Sequence, residues 1–350
     1  MTSIFSDLPF PKSLGSDNHS GVHPKILKAL LDANQGHSHS YGMDPISEKA
    51  AQEFNRVFGR EVFAHYVFNG TAANVTALGH LLKPYQAVIC SEQAHLHLDE
   101  CGAPDTLART KLLLLPSQDG KIYPDQMKSV LSRQGDQHHV QIKMVSLTQP
   151  TELGQVYTTD ELKNWREFCD AHQLYLHCDG ARISNAFASK NQDPKDYANF
   201  FDVLSFGGTK NGLMGAEAVL FFSKDLSQDF KFTRKQFLNL PSKTRFLAAQ
   251  FYAYLFEDLF LKISKDVLSE TRYLESELRK IDEIKIHFPV ESNAIFASFP
   301  KDWIKPLKTS HFFYIWNPEK QMARLMVSFD WTRKDTDDFI QTIHQLKGSQ

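Results

Sequence analysis

Short, unbroken apolar runs alternate with segments of helical spacing through most of this chain. Ala87-Val88-Ile89-Cys90, Lys111 to Leu115, Ile142 to Leu147, Leu174 to Cys178, Asp202 to Phe206 and Ala218 to Phe222 have the length and continuity of strands. A strand that is apolar on both sides of its pleat has to be covered on both faces. The helical segments between them, such as Thr159 to Ala171, can supply that cover. The alternation therefore predicts an α/β fold with a large, mostly parallel sheet between helices.

Upstream, the spacing of Ile26, Leu27, Leu30 and Leu31 predicts a helix from Pro24 to Ala33. A second helix is expected from Pro45 to Phe58, a strand within Glu61 to Phe68 and a further helix from Ala72 to Leu82. Asp125 to Arg133 also reads as helical. The pattern changes after residue 241. One long helical region, Ser242 to Ile281, leads to strand-like Ala294 to Phe299, His311 to Trp316 and Arg324 to Phe329, and to a closing helix over Asp335 to Lys347. This predicts three parts: an N-terminal arm (1–20), a large domain (21–255) and a smaller C-terminal α+β domain (256–350).

Composition narrows the function. A net charge of −2 with no basic block offers no electrostatic footprint for nucleic acid. No apolar run reaches membrane-spanning length, and the start, Met1-Thr2-Ser3-Ile4-Phe5-Ser6-Asp7, carries no basic or apolar leader pattern. The four cysteines (Cys90, Cys101, Cys169, Cys178) form no C-x-x-C pair, which suits reduced thiols in a cytoplasm.

Two stretches carry chemistry. In Ser205-Phe206-Gly207-Gly208-Thr209-Lys210-Asn211-Gly212 a lysine stands among small residues just beyond an apolar run. A desolvated lysine loses its proton more readily and becomes an amine nucleophile toward a carbonyl. Upstream, the strand-like Leu174 to Cys178 ends in Asp179-Gly180-Ala181-Arg182. An acid at one strand end and a lysine at the next suit pyridoxal phosphate, whose ring nitrogen pairs with an acid while its aldehyde is held by a lysine.

Asn69-Gly70-Thr71-Ala72-Ala73-Asn74 sits at a strand-to-helix turn. Gly70 permits close approach, and the first N–H groups with the Thr71 hydroxyl form an anion cradle; equally, Thr71 is an ordinary N-cap. Neither G-x-G-x-x-G nor the Walker lysine pattern is present. His95-Leu96-His97 with Asp99 and Glu100 is a metal-binding alternative if the segment is extended, but no third ligand has a recognisable spacing and no metal is expected. Asp99-Glu100 otherwise reads as a polar loop. Arg182 and Arg324 are candidates for carboxylate recognition.

Together these residues resemble the L-threonine aldolases, most closely the low-specificity bacterial type, pyridoxal-phosphate enzymes of aspartate-aminotransferase-like fold type I. The likeness runs from Ser16-Asp17-Asn18 to Arg324. It is carried by Phe68 to Asn74, Cys90-Ser91-Glu92-Gln93-Ala94-His95, Asp99-Glu100-Cys101-Gly102-Ala103-Pro104, His177 to Arg182 and Phe206 to Gly212. The resemblance implies retro-aldol cleavage of threonine, allo-threonine and related β-hydroxy-α-amino acids to glycine and an aldehyde, through a Schiff base on Lys210. It implies that Asp179 pairs with the ring nitrogen, that His95 stacks on the ring and that Gly70, Thr71 and Ala72 hold the phosphate. Ser16, Arg182 and Arg324 would bind the substrate carboxylate, with Arg182 also bordering the cofactor. His138 would lie near the substrate hydroxyl, where it or a neutral His95, or a water between them, would act as base. Lys243 and Arg245 match a segment that reaches a neighbouring subunit's cofactor site in a dimer of dimers. Met43, where many relatives carry an acid, and the Thr148-Gln149-Pro150-Thr151-Glu152 loop depart from the family pattern. An aminotransferase or β-eliminating lyase on the same fold is the nearest rival reading.

Overall fold

The computed structural model describes residues 11–348; the stretch Met1 to Asp7 lies outside these. The apolar runs form a seven-stranded sheet: β1 (Phe63–Val67), β2 (Gln86–Ser91), β3 (Lys111–Leu115), β4 (Gln141–Thr148), β5 (Tyr175–Gly180), β6 (Val203–Gly207) and β7 (Glu217–Phe221). Their spatial order is β1-β7-β6-β5-β4-β2-β3, and only β7 runs antiparallel to its neighbours. Every residue of β6 and β7 is buried, as an apolar run covered on both faces must be. Phe206 in β6 packs edge-on against Phe54 and Phe58 of the Pro45–Phe58 helix and near Phe251 and Tyr254 of the Thr244–Leu255 helix. Each such fully buried aromatic contributes about 2 kcal/mol.

Parallel register brings the strand ends level. Thr148 of β4 pairs with Asp179 of β5, and Asp179 with Ser205 of β6. Ligands of open α/β sheets bind outside these carboxyl ends.

A second, four-stranded sheet, ordered β10-β11-β9-β8, is antiparallel throughout: β8 (Lys285–Ile286), β9 (Ala294–Ser298), β10 (Tyr314–Asn317) and β11 (Met322–Met326). The N-terminal segment is sewn onto it. Leu14, fully buried, donates its N–H to the Phe312 carbonyl at 2.8 Å and accepts from the Met326 N–H at 2.8 Å.

Two expectations change. The helical region Ser242 to Ile281 is two helices, Thr244–Leu255 and Leu259–Leu278, separated at Phe256–Asp258, where Glu257 and Asp258 take φ of 51° and 56°. Neither glycine nor proline announces the break. Arg56 bonds to the break, donating to the Leu255 carbonyl at 2.7 Å and pairing with Asp258 at 3.0 Å. The expected helix over Asp125 to Arg133 is a 3-10 turn, Pro124–Met127, followed by a single α turn, Lys128–Leu131. Among the described residues no helix is long and apolar enough to cross a membrane.

Candidate active site

Lys210 owes its position to its neighbours. It lies in a 3-10 turn, Thr209–Asn211, directly after β6. A Cβ on Gly207 would collide with the backbone carbonyl of Ala181, so the two chain segments approach closely only because this residue is glycine. The buried Asn211 side chain pins the turn by donating to Tyr254 Oη at 2.6 Å and Ser264 Oγ at 3.1 Å, one from each of the two long helices. The Gly208 N–H donates to Glu217 Oε2 at 2.8 Å.

The amine borders a small inner chamber of about 50 Å³ lined by Gly70, Asn74, His95, Thr148, Glu152, Asp179, Arg182 and Lys210 among others. The chamber meets an outer cleft of about 380 Å³, within the range of small-molecule sites. The charge of Arg182, and then burial, lower the Lys210 pKa from its ordinary value. Both effects favour the neutral amine.

Asp179 ends β5 with its carboxylate fixed on both oxygens. Asn74 Nδ2 donates to Oδ2 at 2.8 Å, and the Ala181 N–H donates to Oδ1 at 3.1 Å. Asn74 also donates to Glu100 Oε1 at 3.0 Å, and that same oxygen meets His95 Nδ1 at 2.9 Å. A continuous polar chain therefore runs from Asp179 through Asn74 and Glu100 to His95. The hydrogen bond with Glu100 is the largest influence raising the His95 pKa, against the effect of burial. The expected neutral imidazole is thus disfavoured.

The helix Gly70–Leu81 points its first turn at the chamber. Asn69, rather than Thr71, is the N-cap: its side chain accepts from the Ala72 N–H at 2.8 Å. Thr71 is the second helical residue, with its hydroxyl outside the capping bond. A Cβ on Gly70 would meet nothing within 4 Å. The helix start therefore faces open space, with N–H groups suited to a phosphate.

An outer cleft continues from the chamber and adds Ser16, Asn18, Asn293, Tyr314, Trp316 and Arg324 to the lining. Arg182 is held there by Asp17, with Nε–Oδ2 at 2.6 Å and Nη2–Oδ1 at 2.8 Å. Asn293 Nδ2 also donates to Asp17 Oδ2 at 3.1 Å. Burial would raise the Asp17 pKa, but the charge and hydrogen bonds of Arg182 outweigh it and the net shift is downward. Arg324 is different. Its guanidinium lies 5.2 Å from the Trp316 ring, no acid pairs with it among the described residues, and its buried Nε has no partner. Burial, then the like charge of Arg182, lower its pKa.

Of the residues picked out in the sequence, Lys210, Asp179, His95, Gly70, Arg182, Ser16 and Arg324 line one connected site, and Thr71 and Ala72 continue the helix turn that begins at Gly70. His138 does not join them. It is exposed in the turn before β4, its N–H donating to Asp136 Oδ1, whereas the site lies beyond the other end of that eight-residue strand, about 25 Å away at strand rise. The metal alternative also loses its geometry. His95 and His97 share a helical turn, His95–Leu98, which points side chains two apart in nearly opposite directions, and His97 is exposed. Among the described residues no group of three or more His, Cys, Asp and Glu could hold a metal. Lys243 and Arg245 lie away from the chamber. Lys243 is exposed, and Arg245 donates to the Gln35 and Gly36 carbonyls.

The sequence marks Glu100 only as a metal-ligand alternative or loop residue, and assigns no role to Asp17, Asn74 or Glu152. Asn74 stands four residues after Gly70, one helical turn along the same face, and that spacing was available as a signal. Glu100 was read as part of a polar loop yet is 3% exposed.

The residues present fit pyridoxal phosphate. They supply an amine of lowered basicity, a fixed carboxylate, a ring-sized wall at His95 and an open helix start. The oxygens Asn74 Oδ1, Glu100 Oε2 and Glu152 Oε2 are buried without partners around the chamber.

Comparison with known proteins agrees. The family described as beta-eliminating lyase matches residues 13–301. The low specificity L-threonine aldolase of Pseudomonas aeruginosa is 37% identical over 342 residues, covering 97% of this chain and 99% of that protein. A protein of the same name from Pseudomonas sp. is 38% identical over 322 residues, 91% of this chain and 93% of its own. The solved structure of Leishmania major threonine aldolase superposes with a TM-score of 0.92 at 29% identity, covering 96% of this chain and 99% of that one.

Proposed function

The chain belongs to the beta-eliminating lyase family and, within it, to the low-specificity L-threonine aldolases, and from that membership we propose that it cleaves the Cα–Cβ bond of L-threonine, L-allo-threonine and related β-hydroxy-α-amino acids, yielding glycine and an aldehyde. Pyridoxal phosphate dependence comes with the family. The observation that carries the reading is that the buried Lys210 amine and the fixed Asp179 carboxylate line one chamber that opens toward an arginine with no acid partner.

When bound, pyridoxal phosphate supplies an electron-withdrawing ring for the bonding pair released at Cα. Lys210 is assigned to hold its aldehyde carbon and Asp179, oriented by Asn74, to keep a proton on its ring nitrogen. The first N–H groups and hydroxyl of Gly70, Thr71 and Ala72 would hold its phosphate, and His95 would border its ring. Arg324, with Ser16 and the Arg182 that Asp17 holds in place, grips the substrate carboxylate. A carboxylate fixed at that point turns the Cα–Cβ bond, rather than another bond to Cα, into the breaking orientation.

We assign the large unit to 21–255 and the small one to 256–350, with the site in the cleft between them. Lys243 and Arg245, exposed or bonded only to backbone carbonyls in this chain, are assigned to a neighbouring subunit's site in a cytoplasmic dimer of dimers. The substrate is a small amino acid; neither nucleic acid nor membrane enters the reading.

The test is acetaldehyde release from L-threonine by the purified protein with and without added pyridoxal phosphate. Cofactor-dependent acetaldehyde with equimolar glycine supports the reading. Keto acid and ammonia in their place would move the assignment to β-elimination, the activity in the family's description.

A further inference from the structure

Cleavage of a β-hydroxy amino acid requires a group that takes the hydroxyl proton, and the residues picked out in the sequence leave that place empty. His138 stands at the far end of β4. His95 is tied through Nδ1 to Glu100, which favours its charged form. One carboxyl group on the wall is otherwise uncommitted. Glu152 lines both the inner chamber and the outer cleft, beside Arg182, Lys210 and His95. Its Oε1 accepts two hydrogen bonds, from the His95 N–H at 2.8 Å and from Thr148 Oγ1 at 2.8 Å. Its Oε2 is buried and accepts none.

Resting on the aldolase reading above, we infer that Glu152 is the residue that takes the proton from the substrate's β-hydroxyl. The O–H proton passes to the Glu152 carboxylate and the O–H pair closes the carbonyl of the departing aldehyde. The Cα–Cβ pair stays with Cα, which then gains a proton and leaves as glycine. Glu152 returns its own proton to water through the cleft. No oxidant or second reactant is needed.

The surroundings suit the task. The Oε1 bonds fix the carboxyl at both ends of a short span, one from the His95 turn and one from the end of β4, so Oε2 is held rather than free to rotate. Burial, the largest influence, pushes the Glu152 pKa up to about 7, with the nearby Asp179 carboxylate adding to it. A base of that strength is half ionised at neutral pH, where proton exchange in both directions is efficient. The charged and titratable groups around it are His95 and Cys90 on one side, Asp179 and Arg182 beyond the end of β5, Lys210 across the chamber and Tyr157 behind. The positive charge of Arg182 favours its ionised form, and the carboxylate of Asp179 opposes it.

Glu152→Gln preserves an acceptor for both Oε1 bonds and removes only the proton-accepting function. Two reactions at the same site separate the roles. Threonine cleavage requires removal of a hydroxyl proton; exchange of the α-proton of glycine with D2O requires cofactor, Lys210 and Asp179 but no hydroxyl base. The inference expects Glu152→Gln to lose about 100-fold or more in kcat for L-threonine, while pyridoxal phosphate affinity by equilibrium dialysis and the glycine exchange rate by NMR stay within about threefold. Glu152→Asp should recover part of the cleavage, and the acid limb of the wild-type pH profile near 7 should be absent from residual Gln-variant activity. Cleavage by Glu152→Gln at the wild-type rate would overturn the inference. A parallel fall of cleavage, exchange and cofactor affinity would also overturn it, since that pattern marks a merely structural residue. Wild-type protein that exchanges glycine but releases no aldehyde from threonine would remove the aldolase reading, and this role with it.

Discussion

Asp17 and Arg182, 165 positions apart in the chain, form a two-pronged ion pair with N–O distances of 2.6 and 2.8 Å. The acid is 1% exposed. Asp17 comes from the N-terminal segment that is sewn to the small sheet, and Arg182 from the turn after β5. The pair thus joins the two sheets' ends across the cleft and aims the arginine.

Removing one partner of a buried ion pair strands the other. Asp17→Asn is expected to cost about 3 kcal/mol of stability, read from urea midpoints at neutral pH, and to raise KM for threonine more than it lowers kcat. The Asp17 pKa is depressed on folding from 3.8. Its stabilisation is therefore fully present above that value and lost as pH falls through the folded pKa. The stability gap between wild type and Asp17→Asn should shrink below about pH 4.

Lys210→Ala should reduce threonine turnover by at least about 10³-fold. Borohydride reduction of the wild-type protein with bound cofactor, followed by peptide mass mapping, should place a cofactor adduct on Lys210. An adduct on any other lysine would refute its role.

Of the two arginines at the site, Arg324 has no acid partner among the described residues, so a carboxylate ligand adds a charge pair rather than competing for one. Arg324→Ala should raise KM for threonine by about tenfold or more, and Arg324→Lys should recover only part, because an ammonium lacks the two-pronged fork. Simple aldehydes, which lack the carboxylate, should show no matching loss when the reaction is run toward synthesis.

Gly207→Ala inserts a methyl group into the Ala181 backbone. Backbone cannot step aside as a flexible side chain does, so the expected loss is above about 3 kcal/mol, with cofactor affinity falling as the Lys210 turn shifts. Gly21→Ala, where an added Cβ meets nothing within 4 Å, is the matched control and should stay within about 1 kcal/mol. Thermal unfolding of both variants checks the pair.

His138→Ala should leave kcat and KM for threonine within about twofold of wild type. A large loss in kcat would mean that the exposed turn before β4 reaches a reacting centre outside its own chain's site.

Much of this protein was legible in its sequence because strands and helices are set by local periodicity. The Pro24–Ala33, Pro45–Phe58 and Thr159–Ala171 helices and the Lys111–Leu115 strand have the bounds their apolar spacing predicts. Lys210 and Asp179 were legible for a related reason: each ends a buried strand, and parallel strands bring such ends to one edge. The break at Phe256–Asp258 was not, because apolar spacing continues on both sides and the side chain that bonds to it, Arg56, lies about 200 positions away.

Tertiary structure alone decided which polar residues work together. Glu100 and Glu152 sit in segments whose sequence reads as loop, and nothing local distinguishes a buried carboxylate from a solvated one. Burial and partners change a carboxylate's proton affinity, and both are set by distant chain: Asn74 and His95 for Glu100, Thr148 and the His95 backbone for Glu152. The same holds for the histidines. His95 and His138 look alike in sequence, but the direction of β4 puts one at the chamber and the other at the opposite end of the sheet. Residue type and spacing determined the fold and the lysine; the packing of the chain on itself determined which acid can hold a proton beside it.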